Sequence, residues 1–95
     1  MNYKLIIVGS GSLLNVCAEI AILNKIKIKG YVDNIKTKNS NIFSIKYLGN
    51  LKNIEKYIDR STKIILAIGD NYQRFKTYSS ISKINKNTNF ATLIH

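Results

Sequence analysis

Two apolar runs that each end at a glycine place the strongest constraint on the fold of this chain. "YKLIIVG" ends at Gly9 and "KIILAIG" ends at Gly69, and β-branched residues are common in both. Short continuous apolar runs of this kind are typical of strands that are buried on both faces of a parallel sheet. The sequence therefore predicts strands at residues 3–8 and 63–69, in a sheet that helices cover on both faces.

Helical signals lie between the predicted strands. Apolar residues recur at helical spacing over residues 12–24, which predicts a first helix. Asn50 can cap a second helix, and Asp70 with Gln73 forms a capping-box variant at the start of a third. The residues predicted to face the sheet are Leu13, Val16, Cys17, Ile20 and Leu23 in the first helix, Leu51, Ile54 and Ile58 in the second, and Tyr72, Phe75, Ile81 and Ile84 in the third.

Three further strands complete the pattern. They are predicted at residues 26–33, 45–49 and 88–94, and the polar residues 34–44 are predicted to form a flexible loop. Strand and helix then alternate as β-α-β-β-α-β-α-β, with crossovers long enough for parallel pairing. We predict an α/β fold, a Rossmann-like three-layer sandwich with a small, mostly parallel sheet. The 95 residues suffice for one such domain, residues 1–95.

The net charge of +10 suggests a polyanionic partner, yet the lysines are scattered along the chain and form no block. Ile, Lys and Asn account for 17, 13 and 12 residues, a composition that A/T-rich codons produce in any protein. No nucleic-acid-binding motif accompanies the charge, so nucleic-acid binding is disfavoured. A free-standing basic module that binds a polyanion stays open as an alternative function.

The sequence also bears on localisation and on reactive groups. No apolar run approaches the roughly 18 residues of a membrane span, and "MNYKLIIVGSGS" does not resemble a signal peptide. One cysteine, Cys17, agrees with a reducing compartment, so we expect a cytoplasmic protein without a membrane segment. No histidine neighbours Cys17, which predicts a buried structural thiol, and one Cys with one His offers too few ligands for a metal. Tyr72, Phe75 and Tyr78 are interpreted as core and rim residues of the third helix, in preference to a base-stacking platform.

Three short stretches follow predicted strands and meet at the carboxyl edge of the sheet, where open α/β sheets bind ligands. They are "GSGS" with Gly9, Ser10, Gly11 and Ser12, "YVDN" with Asp33 and Asn34, and "AIGDN" with Gly69, Asp70 and Asn71. Each stretch also has a purely structural alternative. These alternatives are a turn that only connects two elements, a solvated turn aspartate, and a helix cap.

The chemistry of these stretches favours a nucleotide. Glycines let the backbone pass close to a diphosphate, and the helix that follows offers free N–H groups. A dinucleotide fingerprint would place a third glycine at Leu14, so an ordinary NAD-binding redox domain is disfavoured. Asp33 follows Gly9 by 24 positions, near the spacing at which a carboxylate reaches a ribose hydroxyl.

In order along the chain, these features resemble the N-terminal domain of bacterial sugar acetyltransferases. The family includes sialic acid O-acetyltransferases and the N-acetyltransferases that act on UDP-4-amino-sugars. The resemblance rests on the glycine turn, the aspartate after the second strand, "YLGNLKNI", "IILAIGDNYQRFK" and the final "FATLIH", and it covers essentially the whole chain.

The resemblance implies a second domain, a left-handed parallel β-helix that trimerises, binds acetyl-CoA and carries the catalytic histidine. On that basis "ATLIH" leads into an absent domain, and His95 is a linker or packing residue. The chain would be the nucleotide-sugar-binding front half of an acetyl-CoA-dependent acetyltransferase of surface glycan biosynthesis. By itself it would be inactive, a monomer or weak oligomer, with no cofactor bound and no catalytic residue.

The resemblance also assigns roles to the three stretches. Residues 9–12 would face the diphosphate and sugar of a UDP-sugar, Asp33 and Asn34 would lie near the uridine, and residues 69–71 would border the same cleft. Family members commonly have a glycine and then a histidine where this chain has Ser12 and Leu13. Leu13 cannot supply an imidazole hydrogen bond, which bears on the contact with the sugar. Which sugar is acetylated, and whether on nitrogen or oxygen, stays open.

Overall fold

A computed structural model describes residues 3–34, 43–85 and 88–91 of the chain. The elements follow in the order β1 (Lys4–Val8), α1 (Ser12–Leu23), β2 (Lys27–Val32), β3 (Tyr47–Gly49), a 3₁₀ helix (Leu51–Tyr57), β4 (Thr62–Leu66), α2 (Asn71–Ile84) and β5 (Asn89–Phe90). The alternation of strands and helices agrees with the predicted order. The predicted loop at residues 34–44 lies almost entirely outside the described residues, as does the end of the chain with His95.

The five strands form one sheet in the order β3-β2-β1-β4-β5. Every pair of neighbouring strands is parallel. In the register between β1 and β2, Leu5 pairs with Ile28 and Ile6 pairs with Gly30, so that Lys29 is an extra residue in β2. The predicted Rossmann-like α/β fold is confirmed.

The alternation of side chains along β1 builds two cores, one on each face of the sheet. Leu5 and Ile7 point to the face that α1 covers, where the buried residues are Leu14, Ala18, Ala21, Ile26, Tyr31 and Ala67. Ile6 and Val8 point to the face of the 3₁₀ helix and α2, where the buried residues are Val32, Leu48, Ile54, Ile64 and Ile81. The three predicted layers follow from this division.

Helix α1 buries a stripe that shares Ile20 with the predicted one and otherwise differs from it. Its buried residues are Leu14, Ala18, Ile20 and Ala21. Leu13, Val16 and Leu23 are 38, 40 and 74% exposed, so their predicted burial is wrong. The alanines lie four and seven positions after Leu14 and let the helix axis approach the sheet closely, which bulky residues would prevent. Cys17 packs at the edge of this core, and burial raises the pKa of its thiol.

The second predicted helix is a 3₁₀ helix, so the prediction of a regular α-helix was wrong there. The predicted cap is present: the Oδ1 atom of Asn50 accepts a hydrogen bond from the Lys52 N–H at 3.0 Å. The Asn53 side chain completes the box, because its Oδ1 atom accepts from the Asn50 N–H at 3.2 Å. Gly49 has a φ of 118°, and a Cβ there would lie 2.6 Å from the Asn53 Oδ1 atom. This tight box keeps the short helix close to the end of β3.

Helix α2 covers the sheet with its second half only. Ile81 is fully buried and Ile84 packs against the same core. Tyr72 and Phe75 are 66 and 67% exposed, so their predicted contact with the sheet is wrong, and Tyr78 is exposed as well. The described part of β5 pairs with Lys63 and Ile64 of β4. The longest helix has 14 residues, and within the described ranges none is long and apolar enough to cross a membrane.

Candidate functional site

The strand order reverses at β1, which lies between β2 and β4. The chain leaves β1 through α1 on one face, and it enters β4 from the 3₁₀ helix on the other. Parallel strands end at the same edge, so the turns after β1, β2 and β4 meet there. Open α/β sheets bind ligands at this switch point.

A cavity of about 330 Å³ opens at this carboxyl edge, and we call it the cleft. Its lining residues are Val8, Gly9 and Ser10 after β1, Val32, Asp33 and Asn34 after β2, Leu51 in the 3₁₀ helix, Ala67 and Ile68 after β4, and Gln73 and Thr77 in α2. Val8 and Val32 belong to the core beneath the 3₁₀ helix and α2, so the cleft lies on that face. Its volume is within the range of about 300 to 1,000 Å³ that is typical of small-molecule sites.

Gly9 is required by the packing of the turn itself. Its N–H donates to the Val32 carbonyl oxygen at 2.8 Å, and its φ is 124°. A Cβ at this position would lie 2.4 Å from the carbonyl oxygen of Ala67. Only glycine lets the end of β1 approach the end of β4 this closely. A structural role for Gly9 therefore exists whether or not a ligand binds.

Gly11 and Ser12 lie beside the cleft, at the start of α1. Gly11 is the N-cap of this helix, with φ 79° and ψ −153°, and no side chain of the described residues caps it. A Cβ added to Gly11 would meet nothing within 4 Å. The start of α1 thus has open space beside Gly11, next to Ser10, which lines the cleft.

Asp33 is fixed in place by its backbone. Its N–H donates to the Gly49 carbonyl oxygen at 3.1 Å, and its own carbonyl accepts from the Tyr47 hydroxyl at 2.9 Å. The Oδ1 atom accepts from the Asn34 N–H at 2.6 Å, as in a local turn. The half-buried carboxylate lines the cleft. It can serve the turn and still offer its second oxygen to a ligand.

Of the third predicted stretch, Ala67 and Ile68 line the cleft, whereas the predicted site residues 69–71 lie outside its lining. Asp70 caps α2, because its Oδ1 atom accepts from the Gln73 N–H at 2.8 Å, and this cap was predicted. The Oδ1 atom of Asn71 accepts from the Arg74 guanidinium at 2.6 Å. Gly69 lies near Leu13, whose Cδ1 atom would be 3.4 Å from an added Cβ. Contact of these residues with a ligand stays a prediction.

A second, apolar cavity of about 540 Å³ lies on the other side of α2, and we call it the groove. Its lining residues are Ile64, Ile65, Leu66, Asn71, Arg74, Phe75, Tyr78, Phe90 and Ala91. The rings of Tyr78 and Phe90 lie 4.7 Å apart between their centroids. Phe75 and Tyr78 of α2 therefore line the groove and not the cleft.

Sequence reasoning missed the lining residues that helices supply, Leu51, Gln73 and Thr77, and it did not assign the strand-end residues Val8 and Val32 to the site. Leu51 was interpreted as a core residue, and Gln73 only as part of a cap. Gln73 and Thr77 are four positions apart, so they share one face of a helix, and this spacing was the available signal. The sequence alone does not distinguish that face from a solvated one.

No lysine or arginine lines the cleft within the described part of the chain, although the sequence has 15 of them. Asp33 is the charged residue in the lining. The described lining of the cleft thus offers hydrogen-bonding groups and one carboxylate. Among residues 3–34, 43–85 and 88–91, no cluster of His, Cys, Asp and Glu could hold a metal ion.

Comparisons with known proteins identify the family. The fold is similar to a solved structure of the acetyltransferase domain of PglB from Neisseria gonorrhoeae FA1090 in complex with acetyl coenzyme A, with a TM-score of 0.72 and 21% identity. The match covers 90% of this chain and 41% of that one, so the chain spans less than half the length of the PglB domain. Curated protein sequences give no match. Residues 4–81 match the PglD N-terminal domain, so this chain belongs to the PglD N-terminal domain family.

Proposed function

We propose that this chain binds a UDP-sugar and is the substrate-holding part of an acetyl-CoA-dependent sugar acetyltransferase of surface glycan biosynthesis in the cytoplasm. The observation that carries the proposal is the cleft at the switch point, into which Gly9, Ser10, Asp33 and Asn34 converge. Three different turns supply the lining at the edge where α/β sheets bind nucleotides.

The two parts of a nucleotide would meet two different surfaces. The diphosphate would lie at Ser10 and the uncapped start of α1, where free N–H groups and the helix dipole favour an anion. The uridine would enter the cleft, where the Asp33 carboxylate can accept hydrogen bonds from ribose hydroxyls. In this division the backbone N–H groups at the start of α1 carry the contacts to phosphate.

The family supports an acetyltransferase as the context of this domain. The PglB structure contains acetyl coenzyme A, and more than half of that chain lies outside the match. We propose that acetyl-CoA binding, the β-helix, the trimer and the catalytic base belong to a further domain outside the 95 residues. No residue of the present chain is proposed to take part in acetyl transfer.

Calorimetric titration of the 95-residue chain with UDP and a UDP-amino-sugar tests the proposal, with NAD as the control ligand. We expect saturable binding of both uridine nucleotides and none of NAD. Asp33→Asn should weaken binding about tenfold, because a hydrogen bond to a charged group contributes roughly 1.5 to 3 kcal/mol. Glu19→Gln is the matched control, since it removes the same charge at an exposed position of α1 outside both cavities.

The same titration at two salt concentrations distinguishes nucleotide binding from the alternative function, polyanion binding by a basic module. A basic module that holds a polyanion should lose affinity steeply as salt rises and should be insensitive to Asp33→Asn. Absence of uridine-nucleotide binding by the wild-type chain at physiological salt would contradict the proposal.

A further inference from the structure

We propose that Gln73 and Thr77 contact the ligand and determine which sugar nucleotide the cleft accepts. This inference rests on the proposed function. Both residues line the cleft from α2, on the wall opposite the end of β2. They recognise a neutral polar group of the ligand, either the imide edge of the base or the hydroxyl and amide groups of the sugar.

The cap at the start of α2 fixes the position of the Gln73 backbone. Asp70 caps this helix through the Gln73 N–H at 2.8 Å, and the Arg74 N–H donates to the Asp70 carbonyl oxygen at 2.9 Å. The backbone donor of Gln73 is therefore occupied within the protein. Its side-chain amide is the group that this residue offers to the cleft. Thr77 follows one turn later on the same face and is half-buried.

Helix α2 divides its surface between the two cavities. Gln73 and Thr77 line the cleft, whereas Arg74, Phe75 and Tyr78 line the groove. Ile81 is fully buried and fixes the rotation of the helix about its axis. Packing of Ile81 thus holds the face with Gln73 and Thr77 toward the cleft.

The chemistry of this wall complements a neutral group. A carboxamide has two donors and an acceptor, and a hydroxyl both donates and accepts. The facing carboxylate of Asp33 only accepts when it is ionised, and no lysine or arginine of the described residues lines the cleft. Among the described lining residues, the side-chain donors to neutral acceptors of the ligand are Gln73, Thr77, Ser10 and Asn34. An uncharged base or sugar fits these groups better than a phosphate does.

Two substitutions of similar shape test the inference. Gln73→Met and Thr77→Val remove the hydrogen-bonding groups, and both should leave the cap and the core of α2 intact. Ser80→Ala is the control on the same helix, at an exposed position outside both cavities. Thermal unfolding of each variant confirms that the fold is kept.

Affinity is measured by calorimetry for UDP and for a UDP-amino-sugar. We expect each cleft variant to bind the UDP-amino-sugar at least tenfold more weakly than the Ser80→Ala control. An equal loss for UDP identifies the base as the recognised group, and a loss confined to the UDP-amino-sugar identifies the sugar. Affinities within twofold of wild type for both ligands would overturn this inference alone. A wild-type chain that binds neither ligand would overturn the proposed function and this inference with it.

Discussion

The two ends of the central strands are built in opposite ways. At the amino end, the Lys29 ammonium donates to the Tyr57 carbonyl oxygen at 2.7 Å, to Asp59 at 2.9 Å and to the Thr62 hydroxyl at 2.8 Å. At the carboxyl end, glycines and helix starts surround an open cleft without cationic side chains among the described residues. Side-chain contacts thus join β2 to β4 at the closed end, although a separate cavity of about 400 Å³ lies beside them between residues 58–60 and Asn85 and Asn89. The other end opens into the cleft.

The difference between the two ends originates in the register of β2 against β1. Lys29 is the extra residue of β2 where its pairing with β1 shifts, so its side chain can cross to the start of β4. Thr62, which is 1% exposed, fills the space between them and donates to Asp59 at 2.8 Å. No equivalent contact joins Asp33 to the end of β4 among the described residues. We expect changes at the amino end to alter stability and changes at the carboxyl end to alter binding.

The largest expected effect concerns the core that connects the two ends. Leu14→Ala should lower the free energy of unfolding by about 2 to 5 kcal/mol, because it leaves a cavity between α1 and the sheet. Leu14 is fully buried, whereas the neighbouring Leu13 is 38% exposed. Leu13→Ala, the matched control, should lower the free energy of unfolding by less than about 1 kcal/mol. Urea unfolding measures the free energy of unfolding of both variants. Similar decreases for the two would contradict the burial of Leu14 and the exposure of Leu13 in α1.

An intermediate effect is expected at Lys29. Lys29→Met should destabilise the chain by roughly 1 to 3 kcal/mol, because the carbonyl of Tyr57 and the hydroxyl of Thr62 lose a donor in a partly buried place. Affinity for UDP should stay within twofold of wild type, since this residue is at the closed end. A variant of unchanged stability but weakened binding would break the comparison between the two ends.

The smallest effect is a dependence on pH at Asp59. Hydrogen bonds from Lys29, then from Thr62 and Ser61, hold the pKa of this carboxyl well below its usual range. A lowered pKa in the folded state stabilises the protein above the unfolded pKa of about 3.9, and the benefit is lost as pH falls further. Asp59→Asn should therefore melt at a lower temperature than wild type at pH 7. The difference should shrink below about pH 4 in thermal unfolding monitored by circular dichroism, and a difference that grows on acidification would be contrary to this account.

The sequence predicted the parts of this molecule that local chemistry determines. The buried strands, the glycine turn at Gly9 and the caps at Asn50 and Asp70 follow from apolar runs and from short polar side chains. Ala18 and Ala21 in the buried stripe of α1 were missed, because alanine gives a weak hydrophobic signal even where it is fully buried. The apolar spacing of residues 51–58 likewise does not distinguish a 3₁₀ helix from an α-helix.

The same distinction holds for the candidate site. Gly9, Ser10, Asp33 and Asn34 could be placed at the carboxyl edge because they follow strands, and the structure brings them together. Leu51, Gln73 and Thr77 come from helices, and the face that a helix turns toward a cleft depends on tertiary packing. Tyr72 and Phe75 were wrongly predicted to face the sheet, because residue spacing does not show which face of α2 packs against it.

The most direct test of the central claim is a map of amide chemical-shift changes on adding UDP to the ¹⁵N-labelled chain. The account predicts saturable shifts concentrated at Gly9, Ser10, Asp33, Asn34, Gln73 and Thr77, with little change at Lys29 or Thr62. Shifts concentrated on the groove at Phe75 and Tyr78, or spread over exposed lysines and abolished by salt, would show that the cleft is not the nucleotide site.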